Sequence, residues 1–199
     1  MMDALSELPL GLRDPVHDAQ SAFRAALRAL SLPGEPVRCP ALDEPVAGLM
    51  PATAALLLAL TDQETAVWWN SDGPSGWLRF HTGAPAATAP GQAQFGVIRA
   101  AGPFEALARF SAGSDAQPER SATLLIELPA LTGGPAVEWS GPGLRAPALR
   151  RLAGLPADFW QQWSENHATF PSGVDVLFVC GCHIVGLPRT TLAIEREAG

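Results

Sequence analysis

The sequence contains no lysine: all 13 of its basic residues are arginine, and tyrosine is absent as well. Without lysine, no side chain can form a Schiff base with pyridoxal phosphate or with a carbonyl substrate. A standard phosphate-binding P-loop is also excluded, because that motif requires its lysine. The 20 acidic residues give a formal net charge of −7, which disfavours nucleic acid as a partner.

Cysteine is scarce too, with Cys39, Cys180 and Cys182 as the only three in 199 residues. An odd number of cysteines in a chain of this size does not suggest a disulfide framework and fits reduced cytoplasmic thiols. The longest nearly uncharged apolar run, residues 47–60, contains a proline and is too short to cross a bilayer. Hydrophobic residues make up 47% of the chain, enough for a substantial core. We therefore expect one soluble, cytoplasmic domain over residues 1–199.

Helical and extended patterns alternate along the chain. Asp14 is placed to cap a first helix that starts with Pro15, because both residue types favour helix initiation there. Residues 76–82 fit a helix or a strand, and two β-rich runs around Gly133-Gly134 suggest a hairpin or a strand-turn-strand unit. This alternation predicts an α/β layered sheet. The patterns predict helices over 15–31, 51–60, 103–110 and 156–170, strands over 65–69, 93–100, 174–180, 183–187 and 190–195, and an irregular basic connector over 142–155.

Two of these helices have distinctive apolar faces. The helix over 51–60 is apolar all round and should be buried. The first helix has its apolar residues at helical spacing, which predicts a single stripe. The members of that stripe are Val16, Ala19, Phe23, Ala26, Leu27 and Leu30.

Two thiols and an imidazole stand together in Cys180-Gly181-Cys182-His183. A structural zinc site needs four ligands in recognisable pairs, and no second Cys/His pair follows here. Gly181-Cys182 suits the two central positions of a type II′ hairpin, with Cys180 ending a buried strand as a small apolar residue. We favour the turn, and a metal site, a redox site or a nucleophile stay as alternatives.

Four residues are candidates for binding an anion. Arg79 and His81 lie two apart, so they share a face on a strand and diverge on a helix; guanidinium and imidazole together suit an anion. Arg189 and Thr190 follow a proline, and their donors suit phosphate or phosphonate oxygens. Each pair has an ordinary structural alternative, namely a partly buried histidine and a bent edge strand. Asp175 could orient Arg189 or simply cap a strand.

Glycines and arginines form two further weak motifs. The turn at Gly133-Gly134 could bind phosphate through backbone amides, but it lacks the strand–glycine loop–helix context and favours a simple turn. Arg145, Arg150 and Arg151 could dock an acidic partner or form an ordinary solvated face. No paired carboxylates, zinc-protease motif or nucleophile elbow occurs, so no self-sufficient active site can be built from single residues.

Five blocks together resemble the H subunit of the bacterial carbon–phosphorus lyase core complex, the PhnH family. Each block alone is weakly specific, but their shared order and spacing extend over nearly the whole chain. The blocks are DPVHDAQSAFRAALRALSLPGEPV (14–37), ATAALLLALTDQETAVWW (52–69), LRFHTGAP (78–85), LLIELPALTGGPAVEWSGPGL (124–144) and FPSGVDVLFVCGCHIVGLPRTT (170–191).

The resemblance implies a non-catalytic subunit of the machinery that joins an alkylphosphonate to the ribose of ATP, giving a ribose 1-phosphonate 5-triphosphate. It implies a three-layer mixed sheet with helices on both faces, similar to pyridoxal-phosphate-dependent transferases but without that cofactor or any other. The implied partners are the other core subunits, with a homodimer in isolation and neither nucleic acid nor a membrane. The resemblance brings no established catalytic residue, so Arg79, His81, Arg189 and Thr190 remain the candidate ligand residues. The alternative is a stand-alone phospho-ligand-binding enzyme that uses Arg79, His81 and Arg189.

Overall fold

The computed structural model of the chain describes residues 8–99 and 102–196 and shows an α/β protein. Its α-helices and strands are interleaved, as the sequence predicts, although five strands between residues 112 and 150 follow one another without an α-helix. The helices are α1 (Pro15–Ser31), α2 (Pro51–Leu60), α3 (Ser75–Thr82) and α4 (Phe159–Ala168). The strands are β1 (Val37–Arg38), β2 (Val67–Trp69), β3 (Phe95–Ile98), β4 (Ala112–Ser114), β5 (Gln117–Ser121), β6 (Thr123–Glu127), β7 (Val137–Ser140), β8 (Ala148–Arg150), β9 (Asp175–Cys180), β10 (His183–Leu187) and β11 (Leu192–Glu195).

A six-stranded mixed sheet forms the centre, in the order β1-β10-β9-β6-β3-β2. The strands β2, β3, β6 and β9 run parallel, and β10 and β1 are antiparallel to their neighbours. One face packs against α1, α2 and α3. The other face packs against α4 and the three-stranded sheet β11-β7-β8. The expected mixed sheet with helices on both faces is therefore confirmed.

The first helix buries small side chains and exposes large ones. Asp14 caps it as predicted, accepting from the backbone N–H groups of Val16 (3.1 Å) and His17 (3.0 Å). The predicted apolar stripe faces the core only in part: Ala26 is buried and Leu30 packs against the core, but β10 comes so close to α1 that a Cβ on Gly186 would lie 2.3 Å from the Ala29 carbonyl oxygen. Only small residues fit at that separation. The buried positions are Ala22, Ala25, Ala26 and Ala29, whereas Val16, Phe23 and Leu27 are 62%, 48% and 52% exposed.

Two predictions on local structure are wrong, and a third holds only in one of its alternatives. The runs around Gly133-Gly134 form a strand-turn-strand unit and not a hairpin, because β6 belongs to the central sheet and β7 to the smaller one. The helix predicted over 103–110 is reduced to a 3₁₀ turn at Leu107–Arg109. The irregular connector contains β8, which pairs with β7. The ambiguous segment 76–82 lies in α3, and none of the described helices is long and apolar enough to cross a membrane.

Candidate functional site

The loops after β2 and β3 leave the carboxyl edge of the central sheet in opposite directions. After β2 the chain forms α3 and returns at Ala86, which pairs with Val67 on the side of β2 away from β3. After β3 the chain moves the other way, to β6. A crevice between loops that diverge in this way is where open α/β sheets usually bind ligands. This edge is therefore the candidate functional site.

Asn70 ties the two diverging loops together. Its side-chain nitrogen donates to the carbonyl oxygens of Arg99 and Pro103, both at 3.0 Å. Its side-chain oxygen accepts from the backbone N–H of Arg99 at 3.1 Å. Asn70 is buried, and the space over it is filled by Gly102, where a Cβ would lie 2.4 Å from the amide nitrogen. The amide therefore fixes the backbone on both sides of the crevice.

The guanidinium of Arg99 spans the same crevice. It donates to the carbonyl oxygen of Gly48 (3.1 Å), to the Ser71 hydroxyl (2.5 Å) and to the carbonyl oxygen of Asp72 (2.5 Å). Its Nε is buried and has no hydrogen-bond partner within the described residues. All of these acceptors are neutral, so the positive charge of Arg99 has no ion-pair partner in the part of the chain that the structure describes.

Glu127, at the end of β6, holds the N-terminus of α2. One carboxylate oxygen accepts from the backbone N–H of Met50 and from the Thr53 hydroxyl, each at 2.7 Å. The residue is only 6% exposed. A carboxylate at this end of a helix satisfies donors that lack an intrahelical partner and interacts favourably with the helix dipole. Glu127 thus provides the cap that the N-cap residue of α2 cannot, since Met50 has no side-chain oxygen.

Arg99 and Glu127 are neighbours that do not pair. Each directly follows a residue of the parallel pair Ile98↔Ile126, so they occupy adjacent positions at the ends of β3 and β6. A cavity of about 250 Å³ lies at this edge and is lined by both residues, together with Phe104 and other apolar groups. The charged side chains at its mouth are already bound to the protein. The arrangement can hold loops in place and admit a small ligand, but it presents no nucleophile with an adjacent base.

The structure separates Arg79 from His81. Both lie on α3, where residues two apart point in different directions. Arg79 is exposed, whereas His81 is half-buried, donates from Nε2 to the carbonyl oxygen of Pro9 (3.1 Å) and packs edge-on against Trp77. This is the ordinary structural alternative for a histidine. The two side chains do not converge on one anion.

Arg189 lies next to Asp175, as the sequence suggested. The guanidinium donates to both carboxylate oxygens, and the backbone N–H of Arg189 donates to the same group at 2.8 Å. Its remaining N–H groups donate to the Ser121 hydroxyl and to the carbonyl oxygens of Pro118 (3.0 Å) and Pro171 (3.4 Å). All five guanidinium donors are therefore used inside the protein, so an external anion must displace one of these acceptors.

Thr190 is half-buried and follows Arg189, whose carbonyl oxygen accepts from His167 Nδ1 at 2.8 Å. The segment after β10 is thus held by α4. Within the described residues, no hydrogen bond or ion pair connects Arg189 or Thr190 with Arg79 or His81. The structure places the four predicted ligand residues in two separate regions.

The turn Gly181-Cys182 joins β9 to β10, and Cys180 pairs with His183 across it. Gly181 has φ +58° and Cys182 does not have a positive φ, as a type II′ turn requires; the predicted hairpin is confirmed. The carbonyl oxygen of Gly181 accepts from Ala52 at 3.1 Å, which adds a second partner for the N-terminus of α2. In the described ranges, no three His, Cys, Asp or Glu side chains are grouped as metal ligands.

Asn70, Arg99 and Glu127 were not predicted from the sequence. Each is a polar residue at the end of an apolar strand or directly after it. This position is the sequence feature that could have identified them, because ligand sites lie at the carboxyl edge of parallel strands. It identifies the edge only once the strands are known to be parallel. The pairing of β2, β3, β6 and β9 is a long-range property that a single sequence does not display.

These features define an α/β protein built on a mixed sheet, with polar groups that brace the carboxyl edge. A profile of the family described as bacterial phosphonate metabolism protein (PhnH) matches residues 10–193. The chain therefore belongs to the PhnH family, as its sequence blocks suggested.

Two curated relatives support this assignment. The chain is 34% identical over 202 residues to the alpha-D-ribose 1-methylphosphonate 5-triphosphate synthase subunit PhnH of Rhizobium meliloti (strain 1021), with 98% of this chain and 100% of the relative covered. It is 33% identical over 176 residues to the putative C-P lyase subunit protein HtxG of Stutzerimonas stutzeri, with 86% and 84% covered.

Proposed function

We propose that this chain is a non-catalytic subunit of the bacterial carbon–phosphorus lyase core complex. In this role it is needed for the synthesis of a ribose 1-phosphonate 5-triphosphate from ATP and an alkylphosphonate. The observation that carries the proposal is the full-length similarity to a relative named as a subunit of the corresponding methylphosphonate synthase. The second relative is likewise named as a subunit, in its case of a C-P lyase.

The geometry supports a role that depends on partners. The charged residues best placed for chemistry serve the fold: Arg99 braces two loops, Glu127 holds α2, and Arg189 is saturated by internal acceptors. Val16, Phe23 and Leu27 are exposed on α1, and exposed apolar surface is the kind that partner subunits cover. We infer that the partners are the other core subunits, and that the isolated chain forms a homodimer.

The proposal extends to location and fold. We infer a cytoplasmic location, which agrees with the three free cysteines. We also infer the fold of pyridoxal-phosphate-dependent transferases without the cofactor, supported by the run of parallel strands beside an antiparallel pair. Because the chain has no lysine, added pyridoxal phosphate should give no internal aldimine absorbance.

The test is reconstitution of the core complex with and without this chain. We expect no turnover of ATP plus methylphosphonate by the isolated chain, and none by the remaining subunits alone. Activity should return when the chain is added, and a deletion strain should grow on methylphosphonate as sole phosphorus source only when the gene is restored. Full activity of a complex lacking this chain would overturn the proposal. Light scattering of the isolated chain tests the homodimer.

A further inference from the structure

An open depression of about 420 Å³ brings together two motifs that the sequence shows 16 residues apart. One wall comes from Thr132 and Gly133 in the glycine turn after β6, and another from Arg150 at the end of β8 and Arg151 after it. The loop after α1 adds Gly34 as the third side. We name this depression the arginine–glycine pocket and define it by Gly34, Thr132, Gly133, Arg150 and Arg151.

The two motifs are fixed to one another by close backbone contact. A Cβ on Gly134 would lie 1.8 Å from the carbonyl oxygen of Leu152, so only glycine allows the turn to approach the end of β8. The backbone N–H of Ala153 donates to the carbonyl oxygen of Ala130 at 3.2 Å. The Arg151 guanidinium donates to the carbonyl oxygen of Gly134 at 3.4 Å. The shape of the pocket is therefore fixed by contacts within the protein.

The two arginines keep most of their donors available. Arg150 packs over Gly34, where a Cβ would lie 2.2 Å from its Nε, which is buried. Among the described residues its guanidinium donates only to the carbonyl oxygen of Leu149, from Nη1 at 3.2 Å, so its remaining Nη donors are available. Arg151 is exposed. Across the described residues, neither guanidinium has a carboxylate within 4 Å, although Glu35 also lines the depression. In this they differ from Arg189, whose guanidinium donors are all used inside the protein.

The glycine turn also carries backbone N–H groups at Thr132 and Gly133, which line the depression. The N–H groups of Thr132, Gly133 and Gly134 donate to no other group within residues 8–99 and 102–196. Gly133 has φ +86°, and the space beyond its α-carbon is open. Successive backbone N–H groups in a turn of this kind form a concavity suited to anions.

We propose that the arginine–glycine pocket binds a phosphate- or phosphonate-bearing small molecule. Two guanidinium groups recognise such oxygens through paired, charge-assisted hydrogen bonds, and the turn supplies further neutral donors. The depression, of about 420 Å³, is open to solvent, so it suits the anionic group of a ligand rather than enclosing a whole molecule. This inference rests on the proposed function, whose reactants carry phosphoryl and phosphonyl groups.

The test is calorimetric titration of the full chain at low salt with ATP, pyrophosphate and methylphosphonate. The variant Arg150→Gln/Arg151→Gln removes both charges from the pocket. The control Arg24→Gln/Arg120→Gln removes the same net charge from two exposed positions elsewhere. We expect at least one of the three probes to bind, and the pocket variant to weaken that binding at least tenfold while the control changes it less than threefold.

Two results would overturn the proposal that this pocket binds an anion. The first is that no probe binds at millimolar concentration, and the second is that the pocket variant and the control weaken probe binding equally. Circular dichroism and thermal melting establish that both variants are folded. The reconstituted complex separates this inference from the proposed function. If activity still requires the chain but neither binding nor activity responds to the pocket variant, the pocket is wrong and the subunit role stands.

Discussion

The carboxylate of Asp175 accepts from Arg189 three times over, through the backbone N–H and two guanidinium nitrogens. Both side chains are largely buried, with 19% and 14% exposed. The contact joins the start of β9 to the segment that follows β10. It makes Arg189 a structural residue.

Asp175→Ala should therefore destabilise the protein strongly. The substitution leaves a largely buried guanidinium without its counter-ion, which costs about 3 kcal/mol of unfolding free energy. The matched control is Arg196→Ala, which breaks the more exposed pair with Glu138 and should cost less than about 1 kcal/mol. Urea unfolding measures both. Equal losses would show that Asp175 and Arg189 contribute no more than a surface pair.

The predicted anion site at Arg189 is tested by the same approach. If phosphonates or nucleotides bind the isolated chain at Arg189, the variant Arg189→Ala will lose that binding and the pocket variant Arg150→Gln/Arg151→Gln will keep it. Because the donors of Arg189 are already used inside the protein, we expect instead that Arg189→Ala keeps the binding and the pocket variant loses it. Calorimetry on the two variants, each checked for folding, decides between the two regions.

Glu127→Ala should loosen the N-terminus of α2. Two donors, the Met50 N–H and the Thr53 hydroxyl, lose their acceptor, and leaving buried donors unsatisfied costs about 2 kcal/mol or more. Glu127→Gln keeps a carbonyl oxygen for these donors and should cost about 1 kcal/mol, mainly the lost charge at the helix end. Hydrogen exchange of the first turn of α2 is the local readout, and Glu119→Ala at an exposed site is the control. Unchanged exchange in Glu127→Ala would contradict the capping role.

Gly186→Ala and Gly76→Ala should have opposite effects. A Cβ on Gly186 meets the Ala29 carbonyl oxygen at 2.3 Å, so α1 must move away from the sheet, at a cost of about 2 kcal/mol or more. A Cβ on Gly76 meets nothing within 4 Å, and alanine in a helix is favoured over glycine by up to about 1 kcal/mol. Thermal melting compares the two. Tolerance of alanine at Gly186 would mean that α1 is not tightly seated.

Burial raises the pKa of the Cys39 thiol to about 12, with a further contribution from Cys182. In the unfolded chain this thiol ionises near its ordinary value of 9.0, so the unfolded state loses its proton first. The contribution of Cys39 to the free energy of unfolding is therefore fully present below pH 9. It falls by about 1.4 kcal/mol per pH unit between pH 9 and pH 12.

The comparison is urea unfolding at pH 8 and pH 10 for the parent chain and for Cys39→Ala, which should lose this part of the slope. Thiol labelling adds a second readout: Cys180 and Cys182 are half-buried and should react in the native protein, whereas Cys39 should react only after unfolding. Rapid native labelling of Cys39 would contradict its burial.

Local signals predicted much of the fold. The boundaries of α1 and α2 match the sequence because Asp14, Pro15 and Pro51 act within a few residues of themselves. The turn at Gly181 is equally local. The helix predicted over 103–110 failed because its apolar residues serve packing on β3 and α4 in an irregular path, which helical spacing alone does not reveal.

The features that the sequence did not predict depend on contacts between residues far apart in the chain. The face of α1 that is buried depends on Gly186, far away on β10, so periodicity identified the helix and only part of its buried face. The carboxyl-edge residues and the arginine–glycine pocket need the order of strands, which brings Gly134 against Leu152. Arg79 and His81 were linked by their spacing, and the helical conformation of α3 separates them.

The capping of α2 has a consequence for biosynthesis. Its N-terminus is held by Glu127 and by the turn at Gly181, and the amide of Gly181 in turn contacts the Met50 sulfur, 131 residues away along the chain. A ribosome therefore finishes α2 long before it makes either partner. The apolar helix emerges without its caps and before the central sheet that packs against it is complete, so a nascent chain that stalls before residue 127 exposes apolar surface prone to capture by chaperones or to aggregation.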